Sequence, residues 1–281
     1  MAFNWAAVCG ARPAVMGVVN VTPDSFSDGG RWLDPGAAVA HARQLVADGA
    51  DVLDVGGEST RPGADPVPAD EELRRVVPVV EALAAEAGVP VSVDTTKANV
   101  ADAALDAGAT IVNDVSAGRF DPDILGVTAA AGAGYVAMHM LGEPRTMQAD
   151  PRYDDVVDDV GAFLVARLDA ARAGGIGETA LAADPGIGFG KTVTQNLELL
   201  ARLPELIARV GVPVLAGTSR KRFIGAVLGG ADGDLPVEQR EEGTLATVVW
   251  ALDHGARIVR VHDARGAAQA ARLLAAMATA A

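Results

Sequence analysis

The chain has 281 residues and a net charge of −14; half its residues are hydrophobic and only 4% are aromatic. So acidic a protein repels nucleic acid and anionic membranes at long range, and an anionic ligand would need a local basic pocket. A single cysteine, Cys9, excludes an internal disulfide and a cysteine-based zinc site, and no apolar run approaches the roughly 20 residues of a membrane span.

The first residues, Met1-Ala2-Phe3-Asn4-Trp5, lack the basic start and long apolar stretch of a signal peptide, so a cytoplasmic protein is expected. Short apolar strands are then predicted at 15–20, 51–56, 91–94, 110–113, 134–139, 180–184, 212–217 and 257–261. Between them lie Ala-rich stretches with helical periodicity: 36–48, 70–87, 98–107, 121–132, 153–174, 193–209, 220–229 with 239–254, and 264–279. Eight strand–helix units predict a single α/β domain over 1–281, a (β/α)8 TIM barrel with its site at the C-terminal face of the strands. A doubly wound open sheet is the alternative, but nothing marks a reversal of strand order. Two long loops rich in Gly, Pro, Asp, Ser and Thr, 21–35 and 57–69, follow the first two strands and would overhang that face.

Nearly every predicted strand ends on a residue able to do chemistry: Asn20, Glu58, Asp94, Asn113, Asp184, Ser219-Arg220-Lys221 and Arg260-Val261-His262. Asp94 could cap the helix that follows, and Asn113 the next connection. Together with Asp184, they suggest another use. A carboxylate grips an amidine-like N–H pair, as in guanine or pterin rings, and an amide both donates and accepts. Asp184 could equally start an Asp-Pro turn.

All three lysines, Lys97, Lys191 and Lys221, follow predicted strands. Arg220, Lys221 and Arg222 would open a helix, where cations are disfavoured by about 0.3–1 kcal/mol each, which suggests a bound anion or electron-rich ring. The segment 184–192 fails the phosphate-loop spacing and reads as a tight, flexible loop bringing Phe189 to a ligand. Arg260 and His262 share one side of the last strand and, with Asn20 on the neighbouring first strand, could hold a phosphate and its Mg²⁺. His139 and Met138 read as core or pocket wall rather than catalysts, and the four histidines show no metal-ligand spacing.

Taken together, the segments 20–30, 56–63, 93–95, 113–114, 184–191, 219–221 and 260–263 resemble the dihydropteroate synthase family in order and over nearly the whole chain. The resemblance implies a (β/α)8 homodimer. It also implies a reaction that joins 6-hydroxymethyl-7,8-dihydropterin pyrophosphate to p-aminobenzoate, with release of pyrophosphate, in folate synthesis. Sulfonamides would mimic the p-aminobenzoate. By the same resemblance Asp94, Asn113, Asp184 and Lys221 would hold the pterin. Asn20, Arg61, Arg260 and His262 would hold the pyrophosphate, with Mg²⁺ at Asn20. Thr60, Arg61, Pro62, Phe189 and Ser219 would frame the p-aminobenzoate, with Phe26 closing from the first loop. The family's dissociative displacement needs no protein nucleophile, and none with a partnered base is evident. Rival readings are a pterin-dependent methyltransferase of the same fold, a Schiff-base aldolase using Lys221, and a silent homologue that only binds.

Overall fold

The structure is a computed structural model that describes residues 2–22, 35–61 and 63–280. Among these, eight parallel strands form one sheet: β1 (Ala14–Asn20), β2 (Val52–Gly56), β3 (Val91–Asp94), β4 (Ile111–Asp114), β5 (Gly134–Met138), β6 (Leu181–Asp184), β7 (Leu215–Ala216) and β8 (Ile258–Val261). Their order is β6-β5-β4-β3-β2-β1-β8-β7. A parallel bridge between Ala183 and Val214, with Ala183 N donating to Pro213 O at 3.0 Å, joins β6 to β7 and closes the ring. Pro213 has no N–H to give a ladder, which accounts for the brevity of β7. The strands are buried on both faces, hence their near-continuous Val, Ile, Leu and Ala content.

The helices are α1 (Trp5–Cys9), α2 (Pro35–Ala47), α3 (Ala69–Glu86), α4 (Ala98–Asp106), α5 (Asp123–Ala130), α6 (Val156–Ala173), α7 (Val193–Ala201), α8 (Leu203–Val210), α9 (Arg222–Gly229), α10 (Glu241–Asp253) and α11 (Ala264–Ala280). The helix expected over 193–209 is broken at Arg202. Pro204 cannot donate to the carbonyl four residues back and disfavours continuous helix before it. That carbonyl, Leu200 O, accepts instead from the Trp250 indole Nε1 at 2.9 Å. Thr192 and Gln195 form a reciprocal capping box at the start of α7.

Alternation along the strands divides the core. Outward side chains such as Val19, Val55, Val93, Val112 and Leu181 pack against the helices. Inward ones at the N-terminal end, including Met16, Val52, Ile111, Val136, Leu215 and Ile258, form a separate apolar floor with Trp5 and Cys9. Helix α1, which no sequence pattern anticipated, plugs this end. Asn4 caps it by accepting from Ala6 N at 2.8 Å, and fully buried Trp5 donates from Nε1 to Ala180 O at 3.0 Å.

Trp5→Ala would leave a void in the barrel floor, with an expected loss of about 3–5 kcal/mol in stability. Urea denaturation followed by circular dichroism checks this; a loss under about 1 kcal/mol would mean α1 is not part of the core.

Candidate active site

Above the apolar floor the barrel interior becomes polar. Cross-strand register places Asn20 beside Gly56, Gly56 beside Asp94, and Asp94 beside Asn113, so four strand ends form one row along the rim. Met138 pairs with Asp184 further round. Arg260 rises from β8, and Lys221 enters from the connection after β7. Glycines keep the middle open. A Cβ at Gly217 would lie 3.7 Å from Lys221 Nζ and 3.8 Å from Asp184 Oδ2; one at Gly56 would lie 3.7 Å from Asn20 Oδ1.

One residue at the centre was not selected from the sequence. Asp54 is fully buried and faces inward two residues after Val52. Its Oδ2 accepts from Arg260 Nε at 2.6 Å and from Asn113 Nδ2 at 3.0 Å. Arg260 Nη2 reaches on to Asp94 Oδ2 at 2.9 Å. Asp54 thus fixes the amide of Asn113 and the fork of Arg260 together. The available signal was a lone carboxylate at an inward position of an apolar strand. By contrast, Asp114 turns away and closes the β4–α5 turn, accepting from Ser116 N, Gly118 N and Tyr135 Oη.

Burial dominates the titration of this cluster. It raises Asp94 to about 7, with Asp54, Glu72 and Asp114 adding to the rise and Arg260 opposing it. Asp184 is raised by burial against the pull of Lys221. Lys221 is lowered to about 8 by burial, with Arg260 adding and Asp184 and Asp94 opposing. Acid and base are thus both drawn toward neutral pH, as in sites that bind and polarise a ligand.

Lys221 is not one of three cations in a helix turn, as expected. It is the N-cap of α9, which begins at Arg222. Its Nζ donates to Ile187 O and sits 4.7 Å from the centre of the Phe189 ring. Arg222 points outward to Asp234. Arg220 adopts φ +57°, a conformation costly for a side-chain-bearing residue, and is held by N–H donation to Thr244 Oγ1 at 2.9 Å and an ion pair with Glu241. That turn directs Lys221 inward.

The 184–192 segment was expected to be a tight, flexible loop, and it is pinned from several sides. Gly186 N donates to Asp184 Oδ1, Gly188 N to Asn196 Oδ1, and Tyr153 Oη to Gly190 O. Buried Lys191 donates to Gly186 O and Phe189 O and lies 2.9 Å from His139 Nδ1. Gly186 is at φ +66°, and a Cβ there would lie 1.8 Å from His139 O, so only glycine fits. His139, expected as core or pocket wall, is buried and backs the loop through Lys191, which also holds Phe189 O.

His262 lies 2.9 Å from Ser219 Oγ, which also accepts from His262 N at 3.2 Å. Burial lowers His262 to about 3, and Arg260, Arg220 and Arg61 push in the same direction. Three guanidinium groups thus act on the imidazole, of which Arg260 is paired with Asp54 and Asp94 and Arg220 with Glu241. Thr60 and Arg61 lie on the connection after β2, partly and largely exposed respectively. Phe26 and Pro62 lie outside the described residues. Lys97 sits aside from the ring and pairs with Glu58 and Glu72.

A (β/α)8 barrel with buried carboxylates, an amide and a lysine at its C-terminal rim defines a class, an enzyme that reads a polar heterocycle beside an anion. Residues 16–262 match the family described as "Pterin binding enzyme". The dihydropteroate synthase of Mycobacterium leprae is 52% identical over 263 residues, covering 92% of each chain. A solved dihydropteroate synthase of Xanthomonas albilineans with 4-aminobenzoic acid is 50% identical, with a TM-score of 0.87 over 95% of this chain and 93% of that one. A Yersinia pestis dihydropteroate synthase in a sulfonamide drug complex is 43% identical, with a TM-score of 0.89 over 96% and 95%. The chain belongs to the pterin-binding enzymes and, among them, to the dihydropteroate synthases, transferases of folate biosynthesis.

Asp54→Ala removes the shared acceptor of Arg260 and Asn113. Leaving a buried charge short of its partner costs about 3–5 kcal/mol. Chemical denaturation should show a loss of that size, whereas a peripheral carboxylate would give less than about 1 kcal/mol.

Proposed function

We propose that this chain condenses 6-hydroxymethyl-7,8-dihydropterin pyrophosphate with p-aminobenzoate, giving 7,8-dihydropteroate and pyrophosphate by dissociative displacement. The observation that carries the reading is the adjacency of two chemistries. Asp94, Asn113, Asp184 and Lys221 surround an opening kept by two glycines, and Arg260, Arg61 and His262 gather beside it. Asp94 would accept from the amidine-like edge of the pterin. Asn113 and Asp184 would complete the reading of the ring, and Lys221 would donate to a ring acceptor. Arg61, Arg260 and His262 would hold the pyrophosphate. Thr60, Arg61, Pro62, Phe189 and Ser219 would frame the arylamine, with Phe26 closing from the first loop.

In this scheme the C–O bond between the pterin methylene and pyrophosphate breaks first, its electron pair leaving with oxygen. The methylene cation is delocalised into the ring, where ionised Asp94 offsets the charge. The arylamine nitrogen then forms the new C–N bond and releases a proton. The chain's residues orient both partners and stabilise charge, and none forms a covalent bond. A methyltransferase would have no use for the cations around His262, and an aldolase would need Lys221 freed from Ile187 O and Phe189.

Among the described residues no cluster of three His, Cys, Asp or Glu side chains could hold a metal. Asn20, however, presents a hard amide oxygen at the rim beside Gly56. That suits Mg²⁺, which takes one or two protein oxygens and fills the rest of its shell with phosphate and water. Asn20 would be the protein's contribution to Mg²⁺ arriving with the pyrophosphate. The ion would neutralise charge on the leaving group.

We also propose that a second copy and p-aminobenzoate mimics such as sulfonamides bind this chain. The homodimer reading rests on α7, α9 and α10, which pack side by side and leave Leu197, Val227, Leu228, Val249 and Trp250 exposed. A cytoplasmic location fits a substrate whose pyrophosphate prevents passive passage through a bilayer.

Release of pyrophosphate that requires both substrates tests the reaction. Dihydropteroate and pyrophosphate should form in equal amounts when both are present, and no dihydropteroate with both would refute it. Asp94→Asn should lower turnover about 10²–10³-fold or more with the fold intact. Asp94 must be ionised to accept N–H groups, so kcat/KM should fall as pH drops through about 7. Lys221 must be charged to donate, so kcat/KM should also fall as pH rises through about 8. Asp94→Asn should abolish the acid limb. Chelation of Mg²⁺ should abolish productive binding of the pterin pyrophosphate, while a pterin lacking phosphates should bind as before; full activity in chelator would contradict the metal role.

A further inference from the structure

Lys97 belongs neither to the ring of pterin-facing groups nor to the guanidinium groups around His262, yet it is deeply engaged. Its Nζ is shared by two carboxylates: it donates to Glu58 Oε2 and, at 2.5 Å, to Glu72 Oε2. Glu72, on α3, is fully buried, and its other oxygen, Oε1, has no hydrogen-bond partner among the described residues. Burial raises Glu72, opposed by Lys97 and Thr95. Burial works to lower Lys97, but the two glutamates hold it above its ordinary value.

Such a cluster is poorly suited to raising stability. The desolvation of the fully buried Glu72 offsets much of its attraction to Lys97, and the partly exposed Lys97–Glu58 pair contributes little. What it does supply is fixed geometry. Glu58 begins the connection that carries Thr60 and Arg61. Its second oxygen, Oε1, accepts from Val67 N at 3.2 Å, so one side chain ties the two ends of the segment 58–67 together. Lys97 then joins that clasp to α3. The root of the connection is pressed against the same helix: Arg75 Nη1 donates to Gly57 O at 2.9 Å, and a Cβ at Gly57 would lie 2.7 Å from Val76 Cγ1. Lys97 is also three residues beyond Asp94, on the connection leaving β3. The end of one strand thus bears the proposed pterin reader and the anchor of the loop that would face the second substrate.

We propose that Lys97 is a positioning residue for the arylamine half of the site, holding the 58–67 loop in register with Asp94 through Glu58 and Glu72. This rests on the reading that Thr60 and Arg61 face p-aminobenzoate. Lys97 touches no substrate and acts only through the loop. Loss of the bridge should therefore weaken capture of the second substrate, and of the pyrophosphate through Arg61, and leave binding of the pterin ring itself alone.

The test compares variants of the full chain in steady-state kinetics and in calorimetric binding of a pterin that lacks phosphates, a ligand that makes no use of Arg61. Lys97→Met should raise KM for p-aminobenzoate at least about tenfold, because small misplacements of positioning groups are costly, while pterin affinity stays within roughly twofold. Because Lys97→Met strands the Glu72 carboxylate, Lys97→Met/Glu72→Gln removes the buried charge as well and should show the same rise in a folded protein. Lys97→Arg can bridge both carboxylates and should restore KM to within roughly threefold of the native value. Thr60→Phe is the control for the underlying reading, and should itself raise the arylamine KM. If Thr60→Phe has no effect, the reading of the loop fails and the inference with it. If Thr60→Phe acts but the folded double variant keeps a native KM, the positioning role alone is overturned. A parallel loss of pterin affinity would also overturn it, since a general structural defect would explain both.

Discussion

Arg260 lies between two carboxylates inside a barrel, and the upper half of the molecule is arranged around that bridge. Its Nε is held by Asp54 and its Nη2 by Asp94, from neighbouring strands β2 and β3. Neither acid is tolerable alone at such depth, and neither is the guanidinium. Pairing makes the group possible, and Asp54 extends it by fixing Asn113. Such a network adds little net stability, since desolvation offsets most of the attraction. Its effect is to fix side-chain orientations before any ligand arrives, which is what a site catalysing by electrostatic stabilisation requires.

The same fold supplies the contrast that makes the bridge effective. Below it the barrel is filled by Met16, Val52, Ile111, Ile258 and Trp5 of α1, an apolar floor. Above it two inward glycines, Gly56 and Gly217, withhold side chains where a planar ring would sit. Burial between these layers moves Asp94 up and Lys221 down toward neutral pH. One geometric fact, a packed floor under an open polar ceiling, thus sets both the space and the protonation chemistry of the site.

The walls are held in two different ways. Phe189 is fixed by backbone carbonyls gathered on Lys191, a cation buried so deeply that its proton affinity falls well below the ordinary value. The connection after β2 is fixed by the salt-bridged pair of glutamates around Lys97. In both cases a lysine behind the opening, rather than in it, orders a connecting segment that would otherwise sample many conformations. The lysines singled out for chemistry therefore divide: Lys221 faces the opening, and the other two support its walls.

The barrel was legible because each strand is a short apolar run with helical periodicity after it, and because a parallel strand buried on both faces leaves no other composition. The rim residues Asn20, Asp94, Asn113, Asp184 and Arg260 were legible for a related reason: a polar group where an apolar run stops breaks the pattern. Asp54 escaped notice because it lies within its run, where only the two-residue alternation reveals an inward carboxylate. Glu72 escaped because an acid in the first turn of a helix reads as a solvated charge complementing the dipole. Lys191 and Arg220 were seen but misjudged, since loop composition signals freedom while hydrogen bonds from distant elements remove it. Sequence by itself determined the eight units, the rim at which polar groups gather and most of those groups, because these depend on local periodicity. Tertiary structure alone decided which charges meet, which are support and how far their protons shift. Those depend on burial and on partners as far apart as Asp54 and Arg260, separated by 206 positions in the chain and by 2.6 Å in the fold.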